Sequence, residues 1–301
     1  MMGDNRQVRE ISGVITAMVT PFGADDAVDL EAARALARYL VEHGSHGLVV
    51  AGTTGESPTL ADDEKIALLE VVLEEVGDEA TVIFGSGSND TAHTVELTER
   101  ARDAGAHGVL VVTPYYNKPN ERGLRAHFAA AAEAAGSLPV VLYNIPSRTV
   151  INVPPALLAE LAAEIPNVVA VKQANNEEVQ PIDGLALLAG NDDVFLRCLE
   201  AGGQGGILVA SHVVGDEMRA VYDAAVAGEW ERARELDAAL RDVYAALTVT
   251  TNPIPVKAAL ELTGVLSDGR LRLPMVPAAE EERERIREAL AAHGALATGK
   301  A

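Results

Sequence analysis

The chain has 301 residues, 48% hydrophobic and 23% charged, with a formal net charge of -21. That length holds one large α/β domain or two small ones with a sizeable core, while the acidic excess argues against nucleic acid or an anionic membrane surface as partner. No stretch approaches the ~20 apolar residues of a membrane helix, and no long apolar run precedes a cleavage site near the start, so a soluble cytoplasmic protein is expected.

In chain order, the first apolar run is VITAMVT at 14–20, followed by a helical pattern, LEAARALARYLVEHG at 30–44. GLVVAG (47–52) precedes a second, DEKIALLEVVLEEVG at 63–77, and both helical patterns close on a Gly stop signal. Further runs follow at 81–87 (TVIFGSG), 108–114 (GVLVVTP), 139–145 (PVVLYNI), 168–174 (VVAVKQA), 185–190 (LALLAG) and 205–210 (GGILVA). They are nearly continuous in Val, Ile, Leu and Ala rather than alternating, as strands covered on both faces are, so a parallel sheet is implied. Eight βα units predict a (β/α)8 TIM barrel. A doubly wound open sheet is the competing arrangement, but no G-x-G-x-x-G follows the first strand. Only 18 positions separate Lys172 from Gly190, so the sixth helix is expected to be a stub around NEEVQPID or missing. Strand-like runs stop near residue 228, and helical patterns follow at 229–248, 254–264 and 278–293. The expected organisation is a catalytic barrel at 1–228 and a helical appendage at 229–301.

Cys198 is the only cysteine, which rules out an intrachain disulfide and fits a reducing compartment. Basic residues are mostly Arg, with five lysines: Lys65, Lys118, Lys172, Lys257 and Lys300. Acidic excess with scarce lysine suggests a surface kept hydrated in high salt; the plainer alternative is an ordinary acidic enzyme.

In a barrel of this kind the active site lies at the C-terminal ends of the strands. Those ends read GTTGES (52–57), TPYYNKP (113–119), YNIPSRT (143–149) and VKQAN (171–175). Lys172 follows VVAV in a buried strand, whereas the other lysines fall on a polar helix face, in a Pro/Asn loop, in a helix after a Pro pair and in the tail. Burial disfavours an ammonium and frees the lone pair for attack on a ketone; the alternatives are an anion-neutralising cation or a paired core lysine. Tyr143 lies one βα unit before Lys172, so it belongs on the neighbouring strand at similar height, where a phenol can shuttle protons or simply pack. GTTGES offers backbone N–H groups and hydroxyls suited to a carboxylate, although an ordinary turn reads the same. Arg148, after Pro146, can clamp a second carboxylate or be a surface residue.

These segments, together with AGNDD (189–193), TNPIPVKAAL (251–260) and LRLPMVP (271–277), resemble the dihydrodipicolinate synthase family of the pyruvate-aldolase superfamily from about residue 11 to 295. The resemblance implies a Schiff-base lysine at Lys172 and a proton-transferring tyrosine at Tyr143. It makes Thr53 a relay between two tyrosines, the second being Tyr116, which enters a neighbouring subunit's site. It further implies a pyruvate-carboxylate contact at Thr54, an aldehyde-carboxylate contact at Arg148, and main-chain pocket positions at Gly190 and Ile207. The implied reaction condenses pyruvate with L-aspartate 4-semialdehyde in a homo-oligomer, a dimer of dimers. It needs no metal or organic cofactor, because the lysine imine is itself the electron sink. Gln173, where many members have Glu or Asp, and Asn175 and Asn176 depart from the family pattern. Regulated members bind free lysine near positions that here read Ser57, Asp62, Lys65, Asn89, His93 and Tyr115; Lys65 and His93 depart from that pattern, which implies weak feedback. The alternatives are a retro-aldolase on a 2-keto-3-deoxy sugar acid or N-acetylneuraminate, disfavoured by Arg148, and a non-catalytic scaffold, disfavoured by the complete relay.

Overall fold

In the computed structural model, which describes residues 10–296, eight parallel strands close into a barrel in sequence order. They are β1 (Gly13–Ala17), β2 (Gly47–Val50), β3 (Thr81–Gly85), β4 (Gly108–Val112), β5 (Val140–Asn144), β6 (Val168–Gln173), β7 (Ala186–Ala189) and β8 (Gly205–Leu208). Seven fall inside one of the apolar runs, β1 starts one residue ahead of its run, and β8 pairs with β1 to complete the ring. The open-sheet alternative is therefore excluded.

Side chains alternate between two cores. Ile15, Val49, Ile83, Leu110, Val141, Ala170, Leu188 and Ile207 fill the barrel interior. Their neighbours, among them Val14, Leu48, Val82, Val109, Leu142 and Val171, face the surrounding helices. This two-sided burial explains why the strands read as unbroken apolar runs.

The outer ring begins with α1 (Leu30–Glu42), α2 (Asp62–Val76), α3 (Thr91–Ala104) and α4 (Glu121–Ala135). Local chemistry starts them: Asp29, Asp90 and Asn120 side chains accept from the N–H groups of Ala32, Ala92 and Gly123, and Glu64 accepts from Ala61 N–H. After β5 come a short α5 (Pro146–Thr149) and α6 (Pro155–Glu164). After β6 there is only a 3₁₀ turn at Asn176–Glu178, the stub expected from the short interval. The ring ends with α7 (Phe195–Glu200) and α8 (Gly215–Val226).

Beyond it lie α9 (Trp230–Ala238), α10 (Arg241–Ala246), α11 (Ile254–Leu262) and α12 (Glu280–His293). The single helical pattern expected over 229–248 is two helices, broken at Ala239–Leu240. α12 packs on α10 and α11, and α10 reaches the 3₁₀ turn after β7. That contact brings the C-terminal helices over the strand ends that carry the site.

Candidate active site

Parallel pairing of β5 with β6 sets Tyr143 directly beside Lys172. Inward-facing Ala170 and Ala174 flank Lys172 at two-residue spacing, so the lysine enters the barrel interior by strand parity alone. Its Nζ lies 4.3 Å from the centroid of the Tyr143 ring. The two residues share a cavity of about 490 Å³ with Thr53, Thr54, Arg148 and Gly190. Six of the eight sequence-derived site positions thus converge at one mouth of the barrel. Gly190 closes against β6, where a Cβ would lie 2.7 Å from that of Ala174.

The other two positions are elsewhere. Ile207, expected as a main-chain position, has its side chain packed among the barrel-interior residues, and Val209 two residues on lines the cavity. Tyr116 does not line this cavity and is 89% exposed on a backbone with φ +70°.

Lysine burial is more widespread than the sequence reading expected. Lys65, read there on a polar helix face, and Lys257, read in a helix after a Pro pair, are both buried like Lys172. Each has a carboxylate: Lys65 Nζ is 3.1 Å from Asp62 and Lys257 Nζ 2.5 Å from Glu56. Lys172 has no carboxylate at ion-pair distance among the described residues. Burial lowers its pKa to about 7, with Asp192 opposing and Arg148 adding to the fall. An appreciable neutral fraction is therefore present near neutral pH, as a nucleophilic amine requires.

Burial raises the Tyr143 pKa to about 12, against the opposing charge of Arg148 and a hydrogen bond with Thr53. The phenol stays protonated and can pass its proton along the Thr53 bond. Arg148 stands at the exposed mouth, donating to Asn252 O at 3.0 Å. Thr54 Oγ1 accepts from the Asn252 side-chain amide at 2.9 Å.

Asp192 and Asn252 are functional candidates that the strand-end reading passed over, although both lie in segments quoted for the resemblance. Asp192 accepts from Val209 N–H (2.9 Å) and Ala210 N–H (3.1 Å), while burial still raises its pKa. Its identity within AGNDD was visible, but its approach to Lys172 depends on the tertiary closeness of β6 and the segment after β7. Gln173 faces away from the cavity: its Oε1 accepts from Asn144 Nδ2 and Asn175 N–H, each at 3.0 Å. That departure from the family pattern therefore alters the wall behind β6 rather than the site.

A similar sequence and the same fold recur in known proteins. Residues 10–293 match the model of the dihydrodipicolinate synthetase family. The chain is 50% identical over 286 residues to the 4-hydroxy-tetrahydrodipicolinate synthase of Synechococcus sp. (strain CC9605), covering 93% of this chain and 94% of that protein. It superposes on the crystal structure of dihydrodipicolinate synthase from Thermotoga maritima with a TM-score of 0.91 and 43% identity, covering 95% and 99% of the two chains. The lysine-bound enzyme from Cyanidioschyzon merolae gives a TM-score of 0.91 at 41% identity, with coverage of 95% and 99%. On this sequence and structural similarity, extending over almost the whole chain, the protein belongs to the dihydrodipicolinate synthetase family.

Proposed function

We propose that this protein is a 4-hydroxy-tetrahydrodipicolinate synthase, condensing pyruvate with L-aspartate 4-semialdehyde in diaminopimelate and lysine biosynthesis. The observation that carries the reading is the buried Lys172, without a carboxylate at ion-pair distance among the described residues, registered beside Tyr143 with Arg148 at the same mouth.

In this reading neutral Lys172 attacks the pyruvate keto carbon. Tyr143 protonates the oxygen through the Thr53 relay, and water leaves as the carbinolamine becomes an imine. The Thr54 turn holds the pyruvate carboxylate. Loss of a methyl proton gives an enamine, whose carbon attacks the aldehyde while Arg148 holds the second carboxylate. The substrate's amine then attacks the imine carbon, expels the Lys172 amine and closes the ring. One water is released per condensation, and no redox step occurs. Tyr116, exposed and outside its own chain's cavity, completes the relay of a second copy, so the working unit is at least a dimer and is expected to be a tetramer. A cytoplasmic location suits this reaction; among the described residues no helix is long and apolar enough to cross a membrane.

The test supplies pyruvate with aspartate semialdehyde in one arm and 2-keto-3-deoxy sugar acids or N-acetylneuraminate in another. Condensation in the first arm with no cleavage in the second is expected. Efficient cleavage without condensation would make the protein a retro-aldolase. Absence of a borohydride-trapped pyruvate adduct on Lys172 would remove the Schiff-base mechanism altogether.

A further inference from the structure

The turn that carries Thr53 and Thr54 ends on Glu56, a buried carboxylate whose backbone has φ +56°. A left-handed non-glycine residue is held by its surroundings rather than by its own preference. Within the turn, Glu56 N–H donates to Thr53 O at 3.1 Å and Ser57 N–H to Gly52 O at 3.3 Å. Thr59 N–H and Oγ1 donate to Glu56 O at 2.9 and 3.0 Å, whereas the Glu56 side chain is held from far along the chain. Lys257 on α11 donates to Glu56 Oε1 at 2.5 Å and to Arg270 O at 2.7 Å. Arg272 N–H donates to Glu56 Oε2 at 3.0 Å. The Lys257 ammonium also lies 4.2 Å from the centroid of the Phe22 ring. With the bond from Asn252 to Thr54, residues 252–272 grip the turn at its middle and at its end.

A buried ion pair is weak evidence for stability, because desolvation consumes much of its attraction and an apolar pair of similar volume often does as well. What the pair provides here is placement. Both Glu56 oxygens are taken by groups on one C-terminal segment, three residues beyond the threonine that hydrogen-bonds Tyr143.

We infer that the Lys257–Glu56 pair is a positioning device for proton transfer: it fixes the Thr53–Thr54 turn so that Thr53 reaches Tyr143. This makes α11 a working part of the active site. Lys257 and Glu56 act through the turn, and the inference rests on the reading of Thr53 as the relay.

The experiment compares wild type, Glu56→Gln/Lys257→Met, Glu56→Asp and Thr53→Val in the full-length protein. The double variant removes both charges together, so neither is left buried and unpaired. Glu56→Asp keeps the charge and shortens the tether by one methylene. In both, kcat is expected to fall about ten- to a hundredfold, as misplacement of a relay group by ~1 Å would cause, with KM for pyruvate near wild type. The solvent deuterium isotope effect on kcat should rise, because proton transfer becomes limiting; a merely structural pair would not move it. Wild-type kcat and isotope effect in either folded variant, with Thr53→Val impaired, overturns the inference alone. Unchanged turnover in Thr53→Val as well overturns the relay reading and the inference with it.

Discussion

If Lys172 is held partly neutral by burial, the protein sacrifices stability for its nucleophile, and Lys172→Met should recover it. The ordinary lysine value is 10.5 and the folded value about 7. At 1.36 kcal/mol per pH unit, that gap corresponds to about 5 kcal/mol. Below pH 7 both folded and unfolded states carry the charge, and the full burial penalty applies. Between about 7 and 10.5 the unfolded chain binds more protons than the folded one, so wild-type stability from this group rises with pH. Above 10.5 both states are neutral and the penalty is gone. Lys172→Met should therefore be more stable than wild type by up to about 5 kcal/mol at pH 6, and the advantage should shrink to near zero by pH 10.5. In thermal terms this is a rise of roughly 10 °C at the acidic end for a chain of this size. The assay is paired melting or urea denaturation of ligand-free wild type and Lys172→Met from pH 6 to 10.5, read as a difference so that other titrations cancel. A variant less stable than wild type at pH 6, or an advantage that does not vary with pH, would refute the reasoning.

Three further expectations follow. Inactive Tyr116→Phe mixed with inactive Lys172→Ala should regain part of the activity through hybrid sites; a fully active monomer in light scattering would contradict the exchange of Tyr116. With a net charge of -21, stability should rise between dilute buffer and molar potassium chloride as self-repulsion is screened, and a flat or falling melting temperature would show the acidic surface to be neutral. Inhibition by free L-lysine should be weak, with half-inhibition above about 1 mM at sub-saturating pyruvate. The physical reason is that Asp62, which could pair with a ligand ammonium, already binds Lys65 Nζ at 3.1 Å and His93 Nε2 at 2.8 Å. Half-inhibition below that concentration would show that the cleft rearranges for the amino acid.

The barrel was legible because each strand is covered on both faces and so leaves an uninterrupted apolar run. The stub after β6 was legible from the interval between Lys172 and Gly190. Most of the site was legible because parallel strands carry strand-end residues to one mouth. What escaped depends on partners distant in the chain. Lys257 sits in a helix whose local pattern does not reveal that it is buried, and Glu56, its partner, lies 201 positions away. Lys65 looks like a polar-face residue until the packing around α2 covers it, leaving Asp62 as its counter-charge. The break between α9 and α10 falls at Ala239 and Leu240, neither of which is a local stop signal.

The alternation along β6 has a consequence for how this family can vary. Ala170, Lys172 and Ala174 share the inward face, and Val171 lies on the outward one. Losing or gaining one residue within the strand would exchange the faces, driving the amine into the apolar layer beneath the helices and a valine into the pocket. The register with β5 already shifts at Val169, one extra residue that β6 absorbs before the alternation carrying Lys172 begins. Insertions and deletions are therefore expected to collect in the loops, as in the abbreviated connection after β6, or at such a bulge, and to be excluded between Ala170 and Ala174.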